Sequence, residues 1–166
     1  MIRRINLVQG IGLLEVVIAT GILGALVASI MYVSTLSIKA SRSALNESRA
    51  QTLLAEGYEI TRQLRDKEWS NISSLVTSST YYFASSTNST TTYAWKATTT
   101  KSMIDKFYVR TLIVKNVYRD ENDDIAPTGT LDTGTKKFTL SVSWPNIRSA
   151  TSTITVDFYL ANIFLE

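Results

Sequence analysis

The stretch GIGLLE, Gly10 to Glu15, runs without a break into VVIATGILGALVASIMYVSTLSI, Val16 to Ile38. The 23 residues of that second segment carry no charge. As an α-helix they reach about 35 Å at ~1.5 Å per residue, enough to cross a hydrocarbon core of about 30 Å. A carboxylate stands at the entrance. An ionised acid in hydrocarbon costs roughly 2.5–3.5 kcal/mol or more, so an anchor with no other task would not keep Glu15 there. The plainer reading is an acid placed favourably against the positive end of the helix dipole.

Outward on the amino-terminal side lie ten residues, Met1 to Gly10, with Arg3 and Arg4. They are too short and too polar to hold a secretory signal's own apolar region, and their positive charges favour the cytoplasmic side. The expected orientation is leader inside, head outside. An ordinary secretory signal would instead be cut after the apolar stretch, for which Ala28-Ser29 is the candidate site.

At these residues the chain resembles the type IV pilin and pseudopilin family. The matching parts are a short basic leader (Arg3, Arg4), a glycine (Gly10) before the cut made by prepilin peptidase, a hydrophobic first mature residue (Ile11), and a glutamate fifth after the cut (Glu15). The resemblance covers about Met1 to Tyr58 and is only architectural beyond. It implies cleavage between Gly10 and Ile11, N-methylation of Ile11 and a role for Glu15 in assembly. Ile11 stands where phenylalanine or methionine is commoner, and Tyr32 where many major pilins carry proline.

Beyond Ile38 the helical period persists but becomes amphipathic. Val33, Leu36, Ala40, Ala44, Leu53, Leu54, Gly57, Tyr58 and Leu64 recur at spacings near three and four, which predicts one helix from about Gly12 to Leu64. Lys39, Arg42, Glu47, Arg49, Glu56, Arg62 and Arg65 fit its solvated side. Gly21, Ala25 and Ala28 would let neighbouring helices approach closely. The segment Asp66 to Ser70 ends the period.

From Ser70 to Ser102, 18 of the 33 residues are serine or threonine. That density reads as a polar variable loop, open to O-glycosylation, with Tyr81, Tyr82, Phe83, Tyr93 and Trp95 as aromatic anchors and a short strand around Tyr93 to Ala97. Three stronger strands follow. Lys106 to Tyr118 is rich in β-formers. Phe138-Leu140-Val142-Trp144 and Ile154-Val156-Phe158-Leu160 each alternate with polar residues, the mark of antiparallel strands with one buried face. Between the first two, Asp120, Asn122 and Asp124 have the opening spacing of a calcium loop. The match then breaks, because Ile125 and Leu131 occupy the positions of the turn glycine and the bidentate glutamate. An exposed acidic turn is the alternative.

Composition narrows the function. The chain has no cysteine and no histidine, which removes disulfides, thiol and histidine-based nucleophilic triads, and the usual zinc sites. No paired carboxylate or lysine constellation stands out, and the chain does not read as an enzyme. The net charge of +3 falls to about +1 once Arg3 and Arg4 leave, so nothing singles out nucleic acid as a partner.

The expected fold is α+β and pilin-like: a long N-terminal helix, half of it transmembrane, packed on a three- or four-stranded antiparallel sheet. Its parts are a leader (1–10), a transmembrane and filament-core helix (11–38), an amphipathic helix (39–69) and a head of Ser/Thr-rich loop and sheet (70–166). The resemblance implies a structural subunit, a minor pilin or pseudopilin of a type IV pilus or of a related type II secretion or DNA-uptake filament. Its partners would be prepilin peptidase, other pilin or pseudopilin subunits and the cytoplasmic membrane. It would sit in that membrane with the head outside, and then in an extracellular or periplasmic filament. No cofactor is expected unless the acidic turn takes calcium. The alternative is a plain membrane-anchored or secreted binding domain that does not polymerise.

Overall fold

A computed structural model describes residues 8–87, 93–146 and 150–164, with side chains for 12–85, 94–146 and 150–164. Helix α1 spans Val8–Lys67 and a single helical turn, α2, spans Ser70–Ser73. Six strands follow: β1 (Thr80–Thr87), β2 (Tyr93–Thr98), β3 (Val109–Arg119), β4 (Ile125–Ala126), β5 (Thr130–Pro145) and β6 (Thr151–Ala161). The fold is α+β, and the chain divides into two compact units, Met1–Leu45 and Asn46–Glu166.

In the first unit every described side chain of α1, from residue 12 to 45, is exposed. In the second, the rest of α1 lays a stripe at spacings of three and four against the sheet: Ala50, Leu53, Gly57, Ile60, Thr61 and Leu64 are buried. Arg65 and Lys67 fall in the last turn, where positive charge suits the carbonyl end of the dipole. Asn71 Nδ2 closes that end by donating to the Leu64 carbonyl at 3.1 Å, and α2 drops Ile72 into the core.

The sheet is antiparallel throughout, in the order β2-β1-β3-β5-β6, with β4 paired to β3 beside this path. One face meets α1. There Leu112 and Val114 of β3 and Phe138, Leu140 and Val142 of β5 are fully buried, each large side chain contributing about 1.5–3 kcal/mol by leaving water. A register shift between Asn116 and Val117 turns Val117 inward after Val114, out of the alternating parity.

The sheet has six strands, where the sequence pointed to three or four. The short strand expected at Tyr93 to Ala97 is β2. Its partner β1 lies inside the Ser/Thr-rich stretch, where only Tyr81 and Phe83, two apart and both buried, betray the period. Two expected faces also differ. Val33, Leu36, Ala40 and Ala44 are exposed, and burial along α1 starts at half-buried Asn46. On β6, Leu160 is buried and Ile154 and Phe158 are half-buried, but Val156 is 40% exposed because β6 is the last strand of the sheet.

Candidate functional site

The amino-terminal unit offers a surface rather than a cleft. From Leu13 to Leu45 every large apolar side chain is more than half exposed, between 53% at Ile18 and 73% at Leu13. A helix apolar on all sides suits hydrocarbon or the interior of an assembly. This one is long and apolar enough to cross a membrane. Hydroxyls within it bond to their own backbone: Thr20 Oγ1 donates to the Val16 carbonyl, Ser29 Oγ to Ala25 and Thr35 Oγ1 to Met31, each at 2.8 Å. Such internal satisfaction removes a cost that a bare hydroxyl meets in lipid.

Glu15 sits exposed near the start of this surface, and a Cβ added at Gly12, Gly21 or Gly24 would meet open space. α1 includes Gly10 and Ile11, although the side chain of Ile11 is outside those described. Arg3 and Arg4 lie outside the described residues.

In the second unit the closest approach of helix and sheet is built around Gly57 and Arg110. Arg110 is a core-facing residue of β3, only 4% exposed. Its Nη1 donates to the Leu53 carbonyl at 2.9 Å and lies 3.3 Å from Glu56 Oε2, and its guanidinium stands 5.1 Å from the centre of the Phe83 ring. Nε has no hydrogen-bond partner among the described residues. Burial lowers the pKa of this group, and Glu56 opposes the shift. The sequence reading placed Glu56 on the solvated face and passed over Arg110. Parity could have found it, since Arg110 shares its strand face with Tyr108, Leu112 and Val114.

The acidic turn is organised by Asp120. Its Oδ1 accepts the N–H groups of Asn122 at 2.9 Å and Asp124 at 3.0 Å, while the Asp124 carbonyl accepts the Asp120 N–H at 3.0 Å. Asp123 adopts φ 66°, which aspartate tolerates in such turns. Arg119 draws the loop's charges to itself, with Nε 2.7 Å from Asp132 Oδ2 and Nη1 donating to the Asp123 carbonyl at 2.7 Å. The hydrogen bond from Arg119 holds the Asp132 carboxyl below the usual carboxylate range. Asp120, Asn122 and Asp124 thus fall together, but one oxygen of the leading candidate already serves the backbone. Among the described residues no group of three or more His, Cys, Asp or Glu is placed to hold a metal ion.

Three hollows on the head, of about 370, 410 and 300 Å³, are lined by lysines, aromatic rings, hydroxyls and small apolar groups without a carboxylate. Comparison with family models, curated proteins and solved structures returns no match to this chain.

Proposed function

We propose that this chain is a structural subunit of a filament, a minor pilin or pseudopilin of a type IV pilus or a related secretion or uptake machine. One observation carries the reading: Glu15 heads a helical segment whose apolar side chains are exposed on every side from Leu13 to Leu45, in the same helix that backs the sheet. In the proposed sequence of events the precursor waits in the cytoplasmic membrane with its head outside. Prepilin peptidase removes Met1 to Gly10 and frees the amine of Ile11, whose positive charge N-methylation preserves. Assembly then draws the helix out of lipid into a core of like helices. There the Glu15 carboxylate of one subunit can neutralise the Ile11 amine of another. Lys39, Arg42, Glu47 and Arg49, exposed beyond the uncharged stretch that ends at Ile38, would remain in the aqueous layer.

The test is the mature amino terminus, read by mass spectrometry of the chain purified from membranes. Ile11, bare or methylated, is the expected result. A start near Ser29 would instead make the chain a secreted protein, and retention of Met1 a plain anchor; either would end the filament reading.

A further inference from the structure

The packed stripe of α1 starts at Asn46, and contacts mark the end of the head beside it. Tyr108 Oη donates to the Asn46 carbonyl at 3.4 Å, Arg49 Nη2 lies 3.4 Å from Asp105 Oδ2, and Ala50 and Leu53 share a buried cluster with Tyr108, Val142 and Trp144. Here β3 and β6 begin and β5 ends. Asn46 is eight residues past Ile38, the last residue of the uncharged stretch. A helix advances about 12 Å over that length. With Ile38 at the edge of the hydrocarbon, the headgroup layer fills about 5–8 Å of it, so the gap left is about the length of one lysine side chain.

What this end presents is a turn and a hollow. The backbones of Ile104 and Tyr108 exchange hydrogen bonds at 2.8 and 2.9 Å, and between them Asp105 and Lys106 hold φ of 53° and 55°. Lysine rarely adopts that left-handed region, so the bonds fix Lys106 in the turn at a conformational cost. Met103, just before the turn, is 53% exposed. It borders a hollow of about 300 Å³ together with Lys101, Phe107, Trp144, Pro145 and Thr151, a lining that holds one cation and no carboxylate. The nearby acid, Asp105, is already paired with Arg49. Arg49, Lys101 and Lys106 outnumber Asp105 and Glu47, so the charge here is positive. A cation beside apolar side chains matches a group with an anionic tip and a carbon body.

We infer that the segment from Lys101 to Phe107, with its hollow, is a docking surface for anionic phospholipid headgroups of the membrane that holds α1. Lys101 and Lys106 meet the phosphate charge, and Met103 and Phe107 meet the glycerol and upper acyl carbons. Each lysine near an anionic surface strengthens binding only about fivefold, too little to hold a free head. An anchored helix keeps the head at high effective concentration beside the lipid, where contacts of that strength suffice. The inference rests on the membrane-held stage of the reading above, and it applies to a plain anchor as well as to a subunit awaiting assembly.

The chain has no cysteine, so single introduced thiols report cleanly. Full-length chains carrying Met103→Cys, Thr151→Cys or Leu131→Cys are labelled with a fluorophore and reconstituted into vesicles whose lipids bear a nitroxide quencher on the headgroup. Leu131, 46% exposed, stands at the opposite end of β5. In vesicles of equal parts phosphatidylglycerol and phosphatidylcholine, the labels at 103 and 151 should be quenched and the label at 131 should not. Lys101→Gln with Lys106→Gln should shift the balance from docked to undocked by about 25-fold and remove most of that quenching, while leaving the thermal midpoint of the head in place. No quenching at 103 and 151, equal quenching at 131, indifference to the lysine substitutions, or equal quenching in phosphatidylcholine alone would each overturn the docking. Shielding of 103 that grows with the ratio of chain to lipid would overturn it too, by assigning the surface to a second copy. Alkaline carbonate extraction tests the anchor by itself. Release of the chain would end the membrane reading and the docking with it, whereas a retained chain without quenching at 103 would overturn the docking alone.

Discussion

Gly57→Ala sets two effects of opposite sign against each other at one atom. In a helix interior the change ordinarily stabilises by about 0.8–1 kcal/mol, because glycine loses more backbone entropy than alanine. Here an added Cβ would lie 2.9 Å from Arg110 Cδ, 2.9 Å from Leu140 Cδ2 and 3.2 Å from Leu140 Cδ1. Neither neighbour retreats freely. Leu140 is fully buried between β3 and β6, and Arg110 is held by the Leu53 carbonyl, Glu56 and the Phe83 ring. Overpacking of this kind costs about 1–3 kcal/mol, so the steric effect wins and the net loss is about 1 kcal/mol. For a head of this size that is a fall of about 3–6 °C in thermal midpoint. The assay is a near-ultraviolet circular dichroism melt of the full chain in micelles, where Trp69, Trp95 and Trp144 report on the core. Leu140→Val opens space at the same spot, so Gly57→Ala should be better tolerated in that background, with a coupling of at least ~0.5 kcal/mol. A raised midpoint for Gly57→Ala alone, or additive effects in the double variant, would refute the close-approach reasoning.

Three further outcomes are expected. Glu15→Gln should be inserted and cut after Gly10 as usual but enter purified filaments poorly, since an unpaired buried partner typically costs about 3–5 kcal/mol; incorporation equal to wild type in the same cells would remove the pairing role. Millimolar calcium should leave the melting midpoint unchanged, whereas Asp120→Ala should lower it by freeing the N–H groups of Asn122 and Asp124; a calcium-dependent rise abolished by Asp120→Ala and Asp124→Ala would reverse that reading. Arg119 lowers the Asp132 pKa and Lys137, followed by Thr139, lowers that of Asp157. The stability these carboxylates confer is therefore fully present above the unfolded value of about 3.9 and is lost as pH falls through and below it. Asp132→Asn with Asp157→Asn should flatten the fall of the midpoint below about pH 4, and an unchanged slope would show that neither pair contributes.

What the sequence disclosed followed the strength of its periods. Phe138, Leu140, Val142 and Trp144 alternate with polar residues because β5 lies inside the sheet with one face on α1, and all four are buried. The same alternation in β6 overstated burial at Val156, because period fixes the face of a residue and not whether anything covers it. The limit recurs at Ala40 and Ala44, which keep the helical spacing of the stripe and are exposed. β1 was hidden because serine and threonine blur the contrast between faces. Arg110 was hidden because a guanidinium is rarely expected among core residues unless a carbonyl and a carboxylate wait for it.

The change of pattern along α1 has a physical reading of its own. Up to Ile38 no charge follows Glu15, every large apolar side chain is exposed, and hydroxyls turn back onto carbonyls four residues earlier. Water has no use for such a surface. From Asn46 onward the helix divides into a buried stripe and a charged side, where Arg62 reaches Glu59 at 4.0 Å and Asp66 at 3.8 Å. Exposed pairs of that kind add little stability, about 0–1 kcal/mol each, but they keep the far side of the helix in water. The second segment is thus completed by this chain's own sheet and by solvent, and the first by neither. Satisfying that first segment requires lipid or other helices, which a membrane anchor supplies as fully as the filament core proposed above.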